Sequence, residues 1–146
     1  MDYVLMSDSH VAQVAELERL CFSAPWSENA IRSELTNPLS LWVVALDGQT
    51  VAGYVGSQSV MGEADMMNLA VAPQYRRNGV GGQLVDVLID HLRNNGVTSL
   101  TLEVRASNDA AQNLYKNKDF LQIGRRPNYY SNPKEDALIL RKEWEV

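Results

Sequence analysis

Apolar residues recur along this chain at two distinct periods, and each period predicts one class of element. In residues 11–20, Val11, Val14, Ala15 and Leu17 follow helical spacing after a Ser7-Asp8-Ser9 start signal. Ser27 reads as the N-cap of a second short helix that carries Ile31 and Leu35 and stops at Asn37-Pro38. Two β-rich runs, residues 41–46 and 50–58, flank Asp47-Gly48, a strong hairpin turn. A third strand is expected over residues 64–72, ended by Pro73. Leu84, Val85, Leu88, Ile89 and Leu92 mark one face of a long amphipathic helix, with Asn94-Asn95-Gly96 as its stop. Over residues 99–105 the period changes to two: Leu100, Leu102 and Val104 point one way, Thr101, Glu103 and Arg105 the other. Ser107-Asn108 then starts a helix running to Lys116, and two strands near residues 120–125 and 136–144 complete the pattern. Two helices, three strands, helix, strand, helix and two strands describe a mixed α/β domain. With no repeat, low-complexity segment or linker, residues 1–146 are expected to form one domain.

Composition narrows the class. An apolar fraction of 45% and a charged fraction of 21% are those of a globular protein. No apolar run approaches the roughly 20 residues of a bilayer span. Met1-Asp2-Tyr3-Val4 lacks the basic start and apolar core of a signal peptide. Cys21 is the single cysteine, which excludes an internal disulfide and suits a reducing compartment. The expected location is the cytoplasm. A net charge of -5 argues against a broad nucleic-acid surface. Oligomeric state is left open, and a monomer is compatible.

The chemistry concentrates after the third strand, in Arg76-Arg77-Asn78-Gly79-Val80-Gly81-Gly82. Glycine lets backbone approach a ligand and adopt positive φ. The free amides and dipole of the following helix form an anion site, and two arginines add charge-assisted hydrogen bonds suited to phosphate. A glycine-rich turn with solvated arginines is the bland alternative. Neither G-x-x-x-x-G-K-[ST] nor a G-x-G-x-x-G after an early strand is present.

Arg76-x-x-Gly79-x-Gly81 resembles the [Q/R]-x-x-G-x-[G/A] pyrophosphate loop of the GNAT acetyltransferases, and Asn68-Leu69-Ala70-Val71-Ala72-Pro73 resembles their coenzyme-contacting strand. Leu102-Glu103-Val104-Arg105-Ala106-Ser107-Asn108 looks like the RimI group within that superfamily, which acetylates the N-terminal amine of a small-subunit ribosomal protein. So do Ala24-Pro25-Trp26-Ser27-Glu28, Arg125-Arg126 with Asn128-Tyr129-Tyr130, and Glu135-Asp136-Ala137. The resemblance implies a mostly antiparallel central sheet flanked by helices, its central strands splayed around acetyl-coenzyme A, with no metal. It implies contacts from Leu69, Ala70 and Val71 to the pantetheine arm, and from Arg76, Arg77, Asn78, Gly79, Val80, Gly81 and Gly82 to the pyrophosphate. It further implies Glu103 as base, Asn108 on the coenzyme, Tyr115 as proton donor to the leaving thiolate, and an amide near Val71 polarising the acetyl carbonyl. Seven residues separate Asn108 from Tyr115, two helical turns, so both can face one ligand. The family's glycine before the next aromatic is replaced in Lys118-Asp119-Phe120, where Asp is among the residues that best tolerate left-handed geometry.

Other readings stand beside these. Glu103 also fits an exposed strand residue, Asn108 a helix cap and Tyr115 a core aromatic. Tyr129-Tyr130 fits either sheet-end packing or a lid over the substrate's first residue. Trp26 fits the core or the peptide entrance, while Trp42 and Trp144 fit the core. Cys21 reads as a structural thiol and His10 and His91 as isolated surface or helix-flanking residues. The rival functions are acetylation of a small-molecule amine or internal lysine, and a coenzyme A-binding module without turnover.

Overall fold

Ser7 opens the first helix of the computed structural model, which describes residues 1–145. The backbone amide of Ser7 donates to His10 Nδ1 at 3.0 Å, so His10 serves the helix start. Helix α1 (Asp8–Cys21) buries Val11, Val14, Ala15 and Leu17 along one stripe. Helix α2 (Glu28–Glu34) begins where the Ser27 side chain accepts from the Ala30 amide at 3.1 Å. Strands β2 (Ser40–Asp47) and β3 (Thr50–Val60) form the expected hairpin, with Gly48 at φ 63° in its turn. Strand β4 (Glu63–Val71) leads through a 3₁₀ turn at Pro73–Tyr75 into α3 (Val80–Asn94). Strand β5 (Ser99–Arg105), helix α4 (Asp109–Lys116), and strands β6 (Leu121–Tyr130) and β7 (Glu135–Glu143) follow.

A strand absent from the sequence reading, β1 (Asp2–Leu5), pairs antiparallel with β2 from Asp2 opposite Leu46 to Leu5 opposite Val43. It is a short edge strand with three of four residues exposed, so backbone pairing rather than an apolar face holds it in place. Strand β6 runs five residues beyond the expected end at Arg125. Its register slips between Arg126 and Tyr130, where Pro127 cannot donate a ladder bond and Asn128 sits at φ 54°.

The strands form one seven-stranded sheet in the order β1-β2-β3-β4-β5-β7-β6. Every pairing is antiparallel except β4 with β5, which lasts only three residue pairs, Glu63–Ser99, Ala64–Leu100 and Asp65–Thr101. Beyond them the two strands part. Strand β4 is also irregular on its other side: pairing jumps from Val55–Leu69 to Ser57–Met66, leaving Met67 and Asn68 as a bulge. Helix α3 packs Leu84, Val85, Leu88 and Leu92 on one face of the sheet, in a core that reaches Leu100 and Leu102 of β5 and Leu140 of β7. Helices α1 and α2 cover the other face, against Trp42, Val44, Tyr54 and Ala70.

The Lys118-Asp119-Phe120 departure leaves the turn intact. Asp119 adopts φ 68°, and the Phe120 amide reaches back to the Tyr115 carbonyl at 3.0 Å, a Schellman-type closure. The backbone after Tyr115 therefore takes the path a glycine would allow.

Candidate active site

Where β4 and β5 part, a cleft of about 820 Å³ opens. Met66 to Leu69 of β4 and Leu102 to Arg105 of β5 form its split floor, and Asn108, Ala111, Leu114 and Tyr115 close one side. Residues 21–24 and Trp26, between α1 and α2, form a second wall, and Tyr129 and Tyr130 a third.

Backbone direction in β4 can be traced from one hydrogen bond. The Ala72 amide donates to the Ala52 carbonyl of the β3 side at 2.8 Å. Strand alternation then turns the Ala70 backbone groups toward β3 and the N–H and C=O of Leu69 and Val71 toward the gap. The Val71 carbonyl is taken by Arg76 Nε, so an extended amide-bearing ligand laid in the gap would meet the N–H and C=O of Leu69 and the N–H of Val71 as a neighbouring strand would. The Ala70 side chain is buried on the α1 face, away from the cleft.

Past Val71 comes the glycine-rich turn that opens α3. Arg77 takes φ 66° and Gly79, the N-cap of α3, φ 76°, and no side chain caps this helix. Its first-turn amides are therefore free to face an anion. Gly82 permits close approach of α4, since a Cβ there would lie 3.3 Å from a Leu114 methyl carbon. A smaller hollow of about 320 Å³ touches Gly79, Gly82, Leu114, Asn117 and Lys118. Lys118, named from the sequence only for the turn it opens, pairs there with Asp86 at 2.8 Å. The Arg76 guanidinium is turned the other way: its Nε donates to the Val71 carbonyl at 2.9 Å and an Nη lies 3.6 Å from Cys21 Sγ. In this arrangement Arg76 ties the loop to β4, whereas Arg77 and Asn78 are exposed.

The other side of the cleft gathers Glu103, Tyr115, Tyr129 and Tyr130. Glu103 is half-buried and lines the cleft, with an Arg126 Nη at 4.0 Å. Tyr115 is buried, its hydroxyl directed at Met66 Sδ at 3.6 Å. Burial pushes its pKa up to about 12, with nearby Tyr130 adding to the effect, so the phenol stays protonated at any working pH. Tyr130 is likewise pushed up to about 12, by burial first and then by the negative charge of Glu103. The Arg105 guanidinium lies over the Tyr130 ring at 4.4 Å and that of Arg126 over Tyr129 at 5.4 Å. Asn108 caps α4, its Oδ1 accepting from the Ala111 amide at 3.1 Å, while also lining the cleft. The Ser107 amide donates to Glu135 at 2.7 Å and fixes the start of the α4 turn, and hydrogen bonding from Ser107, its side chain first and then its amide, with Arg105 added, holds the Glu135 carboxyl below its usual pKa.

The cleft thus collects Leu69, Glu103, Asn108, Tyr115, Trp26, Tyr129 and Tyr130, and the neighbouring hollow Gly79 and Gly82. Ala70, Val71, Arg76, Arg77, Asn78, Val80 and Gly81 line neither with side chains. Two cleft-associated groups have no role in the sequence reading: Asn68, quoted there only within the strand motif, and the fully buried Glu18 beneath it, joined at 2.9 and 3.0 Å. The signal for Glu18 was there, since it falls four residues after Val14 on the apolar stripe of α1. Among the described residues no cluster of His, Cys, Asp and Glu is suited to a metal ion, and no helix is long and apolar enough to cross a membrane.

Comparison with known proteins gives a consistent picture. Residues 11–120 match the family model described as acetyltransferase (GNAT) family. The chain is 36% identical over 131 residues to the putative [ribosomal protein bS18]-alanine N-acetyltransferase of Bacillus subtilis, covering 89% of this chain and 87% of that one. It is 38% identical over 126 residues to the [ribosomal protein bS18]-alanine N-acetyltransferase of Escherichia coli K12, covering 85% and 84%. The crystal structure of the Escherichia coli ribosomal-protein-S18-alanine N-acetyltransferase superposes with a TM-score of 0.89 at 33% identity, over 99% of this chain and 94% of that one.

Proposed function

This chain belongs to the GNAT acetyltransferase family, whose acyl donor is acetyl-coenzyme A, and on that footing we propose that it acetylates the N-terminal alanine of ribosomal protein bS18. The observation that carries the reading is the placement of Glu103 and Tyr115 in one cleft between parted strands. The relatives that are 36% and 38% identical, covering 89% and 85% of this chain, supply the acceptor. Residues 1–146 act as one catalytic unit in the cytoplasm, on a protein N-terminus and without direct nucleic-acid contact.

The donor fits the residues present. The gap-facing N–H and C=O of Leu69 and the N–H of Val71 suit the amides of a pantetheine arm, and the uncapped α3 terminus suits a pyrophosphate. Bound there, acetyl-coenzyme A supplies the activated acetyl thioester. Asn108 flanks the arm from α4, and the amide of Val71 faces the gap where negative charge develops on the acetyl oxygen.

An α-amine of pKa about 8 is roughly 10% neutral at pH 7, whereas a lysine amine of pKa about 10.4 is neutral in well under 0.1% of molecules. A half-buried carboxylate is therefore base enough for an N-terminus. Glu103 takes the amine proton directly or through one water, and the nitrogen attacks the acetyl carbon. The Tyr115 hydroxyl donates a hydrogen bond to the departing sulfur. Because burial weakens Tyr115 as an acid, the proton moves onto sulfur in step with C–S cleavage. Trp26, Tyr129 and Tyr130 wall the space for the first residue of the acceptor.

The test is an acceptor panel with acetyl-coenzyme A: peptides beginning with Ala, Ser, Gly or Met, beside polyamines, aminoglycosides and an N-blocked lysine peptide. Mass spectrometry should locate the acetyl group on the α-amine of the Ala peptide. Preferential modification of a lysine or a small amine would overturn the assignment, and binding without thiol release on any acceptor would leave only a coenzyme-binding module.

A further inference from the structure

Glu18 is the one fully buried charged residue among those described, and the chemistry outlined above makes no use of it. Its carboxylate accepts four hydrogen bonds from three donors. The Tyr54 hydroxyl of β3 donates to Oε2, the Trp26 backbone amide to Oε1 at 2.9 Å, and the Asn68 side-chain amide to both oxygens at 3.0 and 2.9 Å. No cation lies within 4.0 Å of it among the described residues. A buried, unpaired carboxylate is costly, and an apolar residue on the α1 stripe would pack there without that cost. What the carboxylate adds is geometry. Trp26 stands in the wall between α1 and α2, and Asn68 in the bulge of β4, so one side chain joins two faces of the cleft through its hydrogen bonds. Backbone pairing restrains neither face, although the Trp26 ring meets Trp42 edge-on at 5.6 Å. Residues 22–27 lie outside any helix or strand, and the bulge leaves Met67 and Asn68 outside the β3 ladder.

We infer that Glu18 is a positioning residue for the acceptor: it sets the distance between the Trp26 wall and the β4 bulge, and so the seating of the incoming N-terminus. The inference rests on the acetyltransferase reading above. The anion element at Gly79 to Gly82 lies at the far end of β4 and makes no hydrogen bond to this network, so the pyrophosphate seat does not depend on it. The signature is a split between the two substrates. Glu18→Met keeps the length of the side chain and leaves the Trp26 and Asn68 donors without acceptors. Glu18→Gln retains one carbonyl oxygen for the Trp26 amide and can turn its NH₂ toward the Tyr54 oxygen, but it sets an amide NH₂ against that of Asn68. Tyr54→Phe removes a donor that does not line the cleft.

Steady-state kinetics with the Ala-initiated peptide and acetyl-coenzyme A decide the matter. In Glu18→Met the peptide KM should rise roughly tenfold, the scale of one lost buried hydrogen bond, with the acetyl-coenzyme A KM within about twofold of wild type. Glu18→Gln should fall between Glu18→Met and wild type, which keeps the test open if Glu18→Met does not fold. Tyr54→Phe should melt at a lower temperature with both KM values unchanged. Partial unfolding removes active molecules and lowers apparent kcat without altering KM, so it cannot mimic this pattern. Lowered kcat and melting temperature in both Glu18 variants, with an unchanged peptide KM, would show a merely structural carboxylate and overturn the inference alone. A wild-type enzyme inactive on the peptide would overturn the acceptor reading and this inference together.

Discussion

Glu103 and Tyr115 are asked to do different work, and their surroundings differ accordingly. Glu103 is half-buried beside Arg126, open to water and to an incoming ammonium group. Tyr115 is sealed against Met66 and Phe120, its ring 5.4 Å from the Phe120 ring. Removing the base by Glu103→Gln should lower kcat roughly 10²-fold at neutral pH, with the loss shrinking as pH rises and the amine deprotonates unaided. Removing the donor by Tyr115→Phe should lower kcat by about 10- to 100-fold at every pH, because a phenol pushed up to about 12 does not change charge below pH 10. The sign is set by burial: a raised pKa preserves the protonated, donating form as pH rises and gives it up only near 12. The wild-type pH profile of kcat/KM should therefore climb toward the α-amine pKa near 8 and stay level to pH 10. A descending limb below pH 10 that vanishes in Tyr115→Phe would contradict the burial argument.

Two glycines show how elements make the site, and they fail differently when substituted. Gly79 sits at φ 76° with nothing within 4 Å of where a Cβ would lie, so Gly79→Ala costs only backbone strain, about 1 kcal/mol. Because that strain falls on the N-cap of α3, the change should raise the acetyl-coenzyme A KM while barely moving the melting temperature. Gly56 lies opposite the β4 bulge, and a Cβ there would stand 2.5 Å from the Trp42 ring, which stacks on Tyr54 and meets Trp26 edge-on. Gly56→Ala should therefore destabilise the fold by about 2 to 3 kcal/mol, read by thermal melting, and disturb the acceptor wall with it. These positions also mark the limit of what periodicity reveals. The α1 and α3 stripes, the β2–β3 hairpin, the glycine loop and the alternation around Glu103 were legible, because each is local and repeats along the chain. Strand β1 was not, since its pairing is backbone-only at a sheet edge. Nor was the contact between Glu18 and Asn68, fifty residues apart, although a carboxylate on an apolar helical stripe was the visible half of it. Tyr129-Tyr130, readable as packing or lid, divides by exposure: Tyr130 is half-buried under Arg105, and Tyr129 is exposed at the cleft.

On the scale of the molecule, the sheet is two antiparallel pieces joined by a seam of three parallel pairs. The two cores do not treat that seam alike. On the α3 face the buried cluster runs without a break from Val43 of β2 through Leu100 of β5 to Leu138 of β7. On the α1 face the buried cluster ends at Ala70 and Ala72, and the cleft begins where it ends. One face therefore holds the halves together while the other leaves room between them, and a ligand in the gap replaces ladder bonds that β4 and β5 do not make. Binding to the native state alone should stabilise it by about 2.7 kcal/mol at a hundred times the dissociation constant. For a domain of this size that amounts to a rise of about 5 to 10 °C in melting temperature. The location of the gain is the sharper prediction. Hydrogen exchange with acetyl-coenzyme A bound should slow most at the Leu69 and Val71 amides, which point into the gap, and at residues 79–82, whose amides open α3. The amides of β1 and β2 should change little, since their ladder is complete without ligand. Protection spread evenly over the sheet would mean that binding stiffens the whole fold, and protection confined to β6 and β7 would place the donor on the wrong side of the seam.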